Sequence, residues 1–301
     1  MSFMLLGILN AQAAAGGPPY YIVAGGGGLL STSPDGINWT SQTSEFGTTQ
    51  ITGLTFGDGL AIAVGGTFAS IGKLATSTDA VTWTIRTSSF GTAKIMCAAY
   101  GNGLYLAAGY EGQLATSTNG TSWTQRTIGL TDKTMNGIAY GGGVYVVAGA
   151  SGNMASSTDG TTWTVRTSGF GTTQINALAY GSSTFVAVGS SGKLTTSTDG
   201  TTWTTRTSQF GTTLINSVTF GDGLFIAGGG DGKLSTSTNG TSWTSRTSGF
   251  GGDAISATGY GNGVYLIAGP DGVLSTSTNG TSWTSQTTNF GSQTINSITT
   301  L

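Results

Sequence analysis

The chain carries seven tryptophans, Trp39, Trp83, Trp123, Trp163, Trp203, Trp243 and Trp283. The first interval is 44 residues and each of the next five is 40. A fixed period of this length means that one supersecondary unit has been copied, and that no copy buries its hydrophobic face alone. Length by itself would suggest about two domains. The period argues instead for one, preceded by an apolar anchor and linker over residues 1–19 and covering 20–301.

One unit shows what is repeated. Ile215–Phe220 is a β-branched and aromatic run, followed by the tight-turn signal Gly221-Asp222-Gly223. Leu224–Ala227 reads as a second strand, Gly229–Gly232 as a turn and Lys233–Thr238 as a third strand. Asn239-Gly240 predicts a two-residue type I′ hairpin, which needs positive φ at both central positions. Thr241–Thr247 is the fourth strand. With the strands called A to D, the reading is an all-β, seven-bladed β-propeller of four-stranded antiparallel blades. The chain ends on Ile295–Leu301, which matches strand A, and its first repeat begins at Tyr20-Tyr21-Ile22-Val23-Ala24, which matches strand B. A C-terminal strand A therefore completes the blade begun by N-terminal strands B to D. Two residues into each strand A stand Gly53, Cys97, Gly137, Ala177, Ser217, Ala257 and Ser297, all small, as a crowded axis requires.

Composition removes several functions. Charged residues are 7% of the chain, against roughly 25% in an average domain. The net charge is −2 with no basic cluster, so the electrostatic footprint of a nucleic-acid binder is missing. There is no histidine, which takes away the commonest general base and a common metal ligand. The single cysteine, Cys97, falls in the small-residue series and reads as buried filler. No apolar run approaches the ~20 residues of a membrane span, and no metal site or cofactor is implied.

The C–D segment reads Ser-Thr-Asp-Gly-Thr-Thr-Trp at 197–203, with close copies at 157–163, 237–243 and 277–283. It resembles the Asp-box of sialidases and related propellers, Ser-x-Asp-x-Gly-x-Thr-Trp, except that Gly here follows the acidic position directly. It is more similar still to bacterial and viral propeller repeats. The resemblance covers residues 18–301 and implies the propeller fold. It also raises a sialidase-like hydrolase as one alternative. The acidic position alternates between acid and amide (Asp35, Asp79, Asn119, Asp159, Asp199, Asn239, Asn279), which suits a turn former and not a catalytic carboxylate. Arg86, Arg126, Arg166, Arg206 and Arg246 each follow a Trp by three, with Gln42 and Gln286 in the other two units. They are expected to lie in inter-blade grooves against a neighbour's Trp, in cation–π or stem contacts. On separate outer strands they cannot converge on an anion. The glutamates are Glu45 and Glu111, both in connections. The chain therefore reads as a non-enzyme.

Comparison of the seven copies locates variation. The A–B and C–D connections are nearly constant, whereas the B–C turns and D–A linkers differ and hold the four-residue insertion of the second unit. In an up-and-down blade these two connections share a rim, and loops on a rigid scaffold carry function. The candidate ligand-binding residues are Phe68, Tyr110, Glu111, Asp132, Lys133, Asp231 and Asp271. A polar rim with a few aromatics suits a cell-surface glycan or another protein.

The head, MSFMLLGILNAQAAAGG, is apolar over Phe3–Leu9. Phe3, Met4, Leu5, Leu6, Ile8 and Leu9 are its candidate partner-docking residues, for a partner or for self-association into a homo-oligomer. Leu6–Gln12 resembles the opening of some bacteriophage virion proteins. That resemblance implies a structural display protein on the virion surface (decoration, fibre or tail appendage), anchored to other virion proteins by its head. The alternative is a secreted or periplasmic bacterial lectin-like or assembly-factor propeller, with the head as a signal peptide that lacks its basic start.

Overall fold

The computed structural model describes residues 20–67 and 72–301. It holds seven four-stranded antiparallel sheets, each in the spatial order A–B–C–D. In the sixth blade these strands are Ile215–Gly221, Leu224–Gly229, Lys233–Ser237 and Thr244–Thr247. Strand A of the first blade is Ile295–Thr300, pairing with Tyr21–Gly25 in the register Tyr21↔Thr300 to Ala24↔Ser297. The inner strands pack against one another in order, and Ile295–Thr300 contacts strand A of both the seventh and the second blades. The ring is closed by this pairing of strand A with strand B inside the first blade, where no covalent connection joins the two.

The hydrophobic interior is divided among seven clusters, one for each seam between blades. Alternation along a strand explains how one blade serves two of them. Tyr21 and Val23 face the seventh blade with Leu266 and Leu274, while Ile22 and Ala24 face the second with Ile51 and Ala63. Each Trp joins the cluster shared with the preceding blade, as inter-blade packing requires. Trp83 and Trp243 are buried and the other five are half-buried. Aromatic registers are repeated too. The strand-B Tyr hydroxyls of four blades donate to the carbonyl of the strand-A glycine one blade back: Tyr21 to Gly261 at 2.8 Å, Tyr145 to Gly101 at 2.7 Å, Tyr265 to Gly221 at 2.5 Å, and Tyr105 to Gly57.

Small residues at the axis are explained by contact. A Cβ on Gly53 would lie 3.1 Å from the Cα of Cys97 on the next blade. Cys97 is buried, and burial pushes its thiol up to about 12.

The structure corrects two local expectations. The type I′ turn lies between strands A and B, where Asp222 and Gly223 both have positive φ (44° and 76°). At the C–D connection only Gly240 is left-handed (φ 73°), and strand D begins at Thr244. The reason is side-chain hydrogen bonding, which outbids the short hairpin. Asn239 Oδ1 accepts the backbone N–H groups of Thr241 and Ser242, and Ser237 Oγ accepts that of Gly240. Trp243 Nε1 then donates to the Gly240 carbonyl at 2.8 Å. The side chain thus builds a six-residue loop that seats the indole in the seam.

The second correction concerns the polar ends of the arginines, for which a cation–π contact was one expectation. The rings of Tyr100, Tyr140, Tyr180, Phe185, Phe220, Phe225 and Tyr260 pair with other aromatic rings, and none of these contacts involves one of the five arginines. Each Arg instead donates Nε to a hydroxyl of strand C in its own blade, as Arg206 does to Thr196 at 3.0 Å and Arg166 to Ser156 at 2.8 Å. Gln42 and Gln286 make the same bond through Nε2, to Thr32 and Thr276 at 2.9 and 2.8 Å. What recurs is an N–H donor across the C–D pair, with or without the charge.

Candidate functional sites: the variable rim and the channel mouth

The B–C turns and D–A linkers do share one rim. Gly112 N donates to the Lys133 carbonyl at 2.6 Å and Gly272 N to that of Gln293 at 2.8 Å, each tying a turn to the linker of the same blade. Six of the turns are single 3₁₀ turns whose middle residue is left-handed, Glu111 (φ 60°), Asp231 (φ 55°) and Asp271 (φ 51°) among them. Such a residue projects from the rim.

Four of the sequence candidates come together. Tyr110 and Glu111 form the turn of the third blade, and Asp132 and Lys133 lie in the linker bonded to it. Glu111 and Asp132 are exposed, Tyr110 and Lys133 half-buried. Beside them a cleft of about 250 Å³ opens between Gln113, Arg126 and Ile128. This linker departs from its copies because Ile128 and Leu130 stand where the others have a hydroxyl residue and Phe. Elsewhere that hydroxyl is bonded, as Ser168 Oγ is to the Gly152 carbonyl at 2.6 Å. Asp231 and Asp271 belong to the sixth and seventh blades and do not join the cluster. Asp231 accepts a bond from Thr213 at 3.3 Å. Phe68 and the head residues Phe3, Met4, Leu5, Leu6, Ile8 and Leu9 lie outside the described residues.

The hairpin carboxylates are committed to their own loops. Asp79 is held down at about 2 by the N–H groups of Thr82 and Val81. Asp159 and Asp199 are lowered in the same way, by Thr162 with Thr161 and by Thr202 with Thr201. Asn119 Oδ1 takes the matching bonds from Thr121 and Ser122 at 3.0 and 2.9 Å. An amide oxygen and a carboxylate oxygen do the same work, which is why the two alternate.

A second place was not anticipated from sequence. The residue after the first apolar residue of strand A sits in a β-bulge, for example between Ile215 and Ser217, where the ladder skips Asn216. A bulge re-aims its side chain, and here it turns toward the next blade. Asn136 Nδ2 donates to the Ile175 carbonyl at 2.8 Å, Asn176 to Ile215 at 2.8 Å, Asn216 to Ile255 at 2.9 Å and Asn296 to Ile51 at 3.0 Å. Thr52 and Ser256 bond Ile95 and Ile295 through their hydroxyls at 2.7 and 2.6 Å. Six of the seven seams are thus sewn in one rotational sense around the mouth of a channel of about 340 Å³. The missing stitch is Met96 of the third blade, which has no donor; Cys97 Sγ lies 3.8 Å from the Met135 carbonyl instead. The sequence signal was a polar residue at one repeat position, beside the small-residue series.

Among the described residues no group of three acidic, histidine or cysteine side chains could hold a metal ion, and no helix is long and apolar enough to cross a membrane.

The geometry defines the class, a seven-bladed β-propeller, and comparisons with known proteins agree. Residues 171–300 match the DUF6242 beta propeller domain family. No curated protein matches the chain in sequence. Among solved structures, YCF48 bound to D1 peptide is similar with a TM-score of 0.66 and 14% identity, over 86% of this chain and 87% of that one. YCF48 from Cyanidioschyzon merolae gives 0.63 and 18%, over 84% and 89%. Virginiamycin B lyase from Staphylococcus aureus gives 0.71 and 13%, over 80% and 85%. At these identities the likeness is one of fold.

Proposed function

We infer that this protein is a non-catalytic recognition propeller displayed on the surface of a bacteriophage virion. Residues 1–17 are the anchor to other virion proteins, and the variable rim is the face that meets a host-surface glycan. The observation that carries the reading is the gathering of Tyr110, Glu111, Asp132 and Lys133 on one rim, while the Asp-box-like hairpins on the other rim spend their carboxylates on backbone N–H groups. The resemblance of the head to virion openings supports the setting. The absence of histidine supports a non-enzyme. Among the similar folds, a histidine-to-alanine virginiamycin B lyase is described as catalytically inactive.

A glycan array probed with the full chain tests the rim. Saturable binding, weakened at least tenfold by Tyr110→Ala with Asp132→Ser, is the expected result. An array with no bound glycan, or a rim variant that binds as well as the parent, overturns it. Mass spectrometry of the native N-terminus tests the setting, because cleavage after Ala13 or Ala15 would make this a secreted protein. Turnover of a sialoside would make it a hydrolase. One observation favours a second reading, an assembly factor. A propeller of this fold has been solved with a peptide bound, and the same rim would then hold a protein segment.

A further inference from the structure

We propose that the mouth of the central channel is a binding site for a primary ammonium group, such as a lysine side chain or the free amino terminus of a peptide. The proposal stands on the stitched ring and is independent of what the rim binds.

Its first support is polarity. A side-chain amide can reach a backbone carbonyl only with its nitrogen, so each inter-blade bond fixes which way the amide lies. The Nδ2 groups of Asn136, Asn216 and Asn296 are bonded to the carbonyls of Ile175, Ile255 and Ile51. All three side chains line the channel. Their oxygens are therefore left for it. Asn176 is the exception, because its Oδ1 already accepts from Gln174 Nε2 at 2.9 Å. Each of the three amides thus presents Oδ1 as an acceptor, with one of its two Nδ2 N–H donors already committed to the seam.

The second support is arrangement. The three oxygens come from the fourth, sixth and first blades, so two blades, two blades and three blades separate them around the axis. That is close to threefold. An ammonium group carries three N–H donors in threefold disposition and no acceptor. Each oxygen meets a donor directly or through a bridging water. No carboxylate, lysine or arginine lines the channel, so no charge on its wall competes with the ligand or repels it. Positions are held by bonds in the scaffold, and such preorganisation lowers the cost of binding.

Methylammonium chloride titrated into the full chain and followed by amide NMR is the first experiment. Two heavy atoms set the expected dissociation constant at about 10 mM. The shifts should fall on residues of strands A near the mouth. The informative variant replaces Asn136, Asn216 and Asn296 with Ser. Ser256 shows that serine keeps the inter-blade bond, at 2.6 Å, so the ring stays sewn while the amide oxygens leave the channel. Binding should weaken at least tenfold with the melting temperature little changed. Met96→Asn, which adds a fourth amide at the vacant stitch, should tighten binding. No saturable shift with methylammonium overturns the proposal, as does equal binding by the triple serine variant. Stronger binding of potassium chloride would make the site one for a metal cation and overturn the amine assignment. Equal binding of neutral N-methylacetamide would do so too.

Discussion

The first blade, where the ring closes, and the seam between the third and fourth blades are built from the same repeat, yet they differ in an unexpected direction. In the first blade strand A (Ile295–Thr300) and strand B (Tyr21–Gly25) lie at opposite ends of the repeat region, so no loop joins them and pairing alone holds them together. The seams on either side of that blade carry the full set of bonds: Tyr21 to Gly261, Ser256 to Ile295, Asn296 to Ile51, and Leu54 N to Ser297 Oγ at 3.0 Å. Asn289 adds a bond to the Trp39 carbonyl at 3.0 Å. The third and fourth blades are joined covalently by a linker, and there the stitch is missing at Met96, while Leu130 replaces the buried Phe of the other linkers. A tethered seam tolerates loss because the chain keeps its halves at high effective concentration. Strands A and B of the first blade have no such tether between them and must be held together by contacts alone.

The largest effect should come from deleting residues 295–301. That removes the inner strand of the first blade and the fully buried Ile295. A loss of about 5 kcal/mol or more is expected, since one buried Ile alone is worth about 2–5. Thermal unfolding followed by circular dichroism checks this, and a truncated chain as stable as its parent would show that closure contributes nothing. Next in size is Trp243→Ala, expected to cost ~3–5 kcal/mol, against a smaller loss for the half-buried Trp163 at the third–fourth seam. Denaturant midpoints of the two variants make that comparison. Met96→Asn should restore the missing stitch and add about 1 kcal/mol, with slower hydrogen exchange at the amides of strands A in the third and fourth blades. Protection elsewhere should not change.

The smallest effect is one of pH. In the folded chain Asp79 is depressed to about 2 by the N–H groups of Thr82 and Val81, from about 3.9 unfolded. Its contribution is present above the unfolded value and is lost as pH falls from about 4 toward 2. The group is exposed, so screening keeps the effect small. Asn119 of the third blade has no proton to gain. Asp79→Asn should therefore flatten part of the acid limb of the stability curve, with little change at pH 7.

The Trp period gave the blade count, and the match of Ile295–Leu301 to strand A gave the closure, because both are properties of copied pattern. Rim membership of Tyr110, Glu111, Asp132 and Lys133 was also readable, since connection type follows from strand order. Their gathering with one another, apart from Asp231 and Asp271, was not, because it depends on a bond between Gly112 and the Lys133 carbonyl. The Asn-Gly signal misled for a related reason. Propensity describes a backbone competing with water, and here the backbone competed with Asn239's own side chain. The cation–π part of the arginine expectation failed because spacing tells which face a residue takes but not which partner its polar end meets.

What the sequence by itself determined is therefore the repeat, the number of blades, their strand order and the small residues at the axis. These follow from local pattern and from the volume available at a crowded centre. Only the tertiary structure decided that the polar residue of each strand A is bulged out and sewn to the next blade, and that Met96 leaves one stitch out. A hydrogen bond across a seam joins residues about 40 apart, or 245 apart at the closure. Its existence depends on how two blades are set against each other, which no local stretch of sequence specifies.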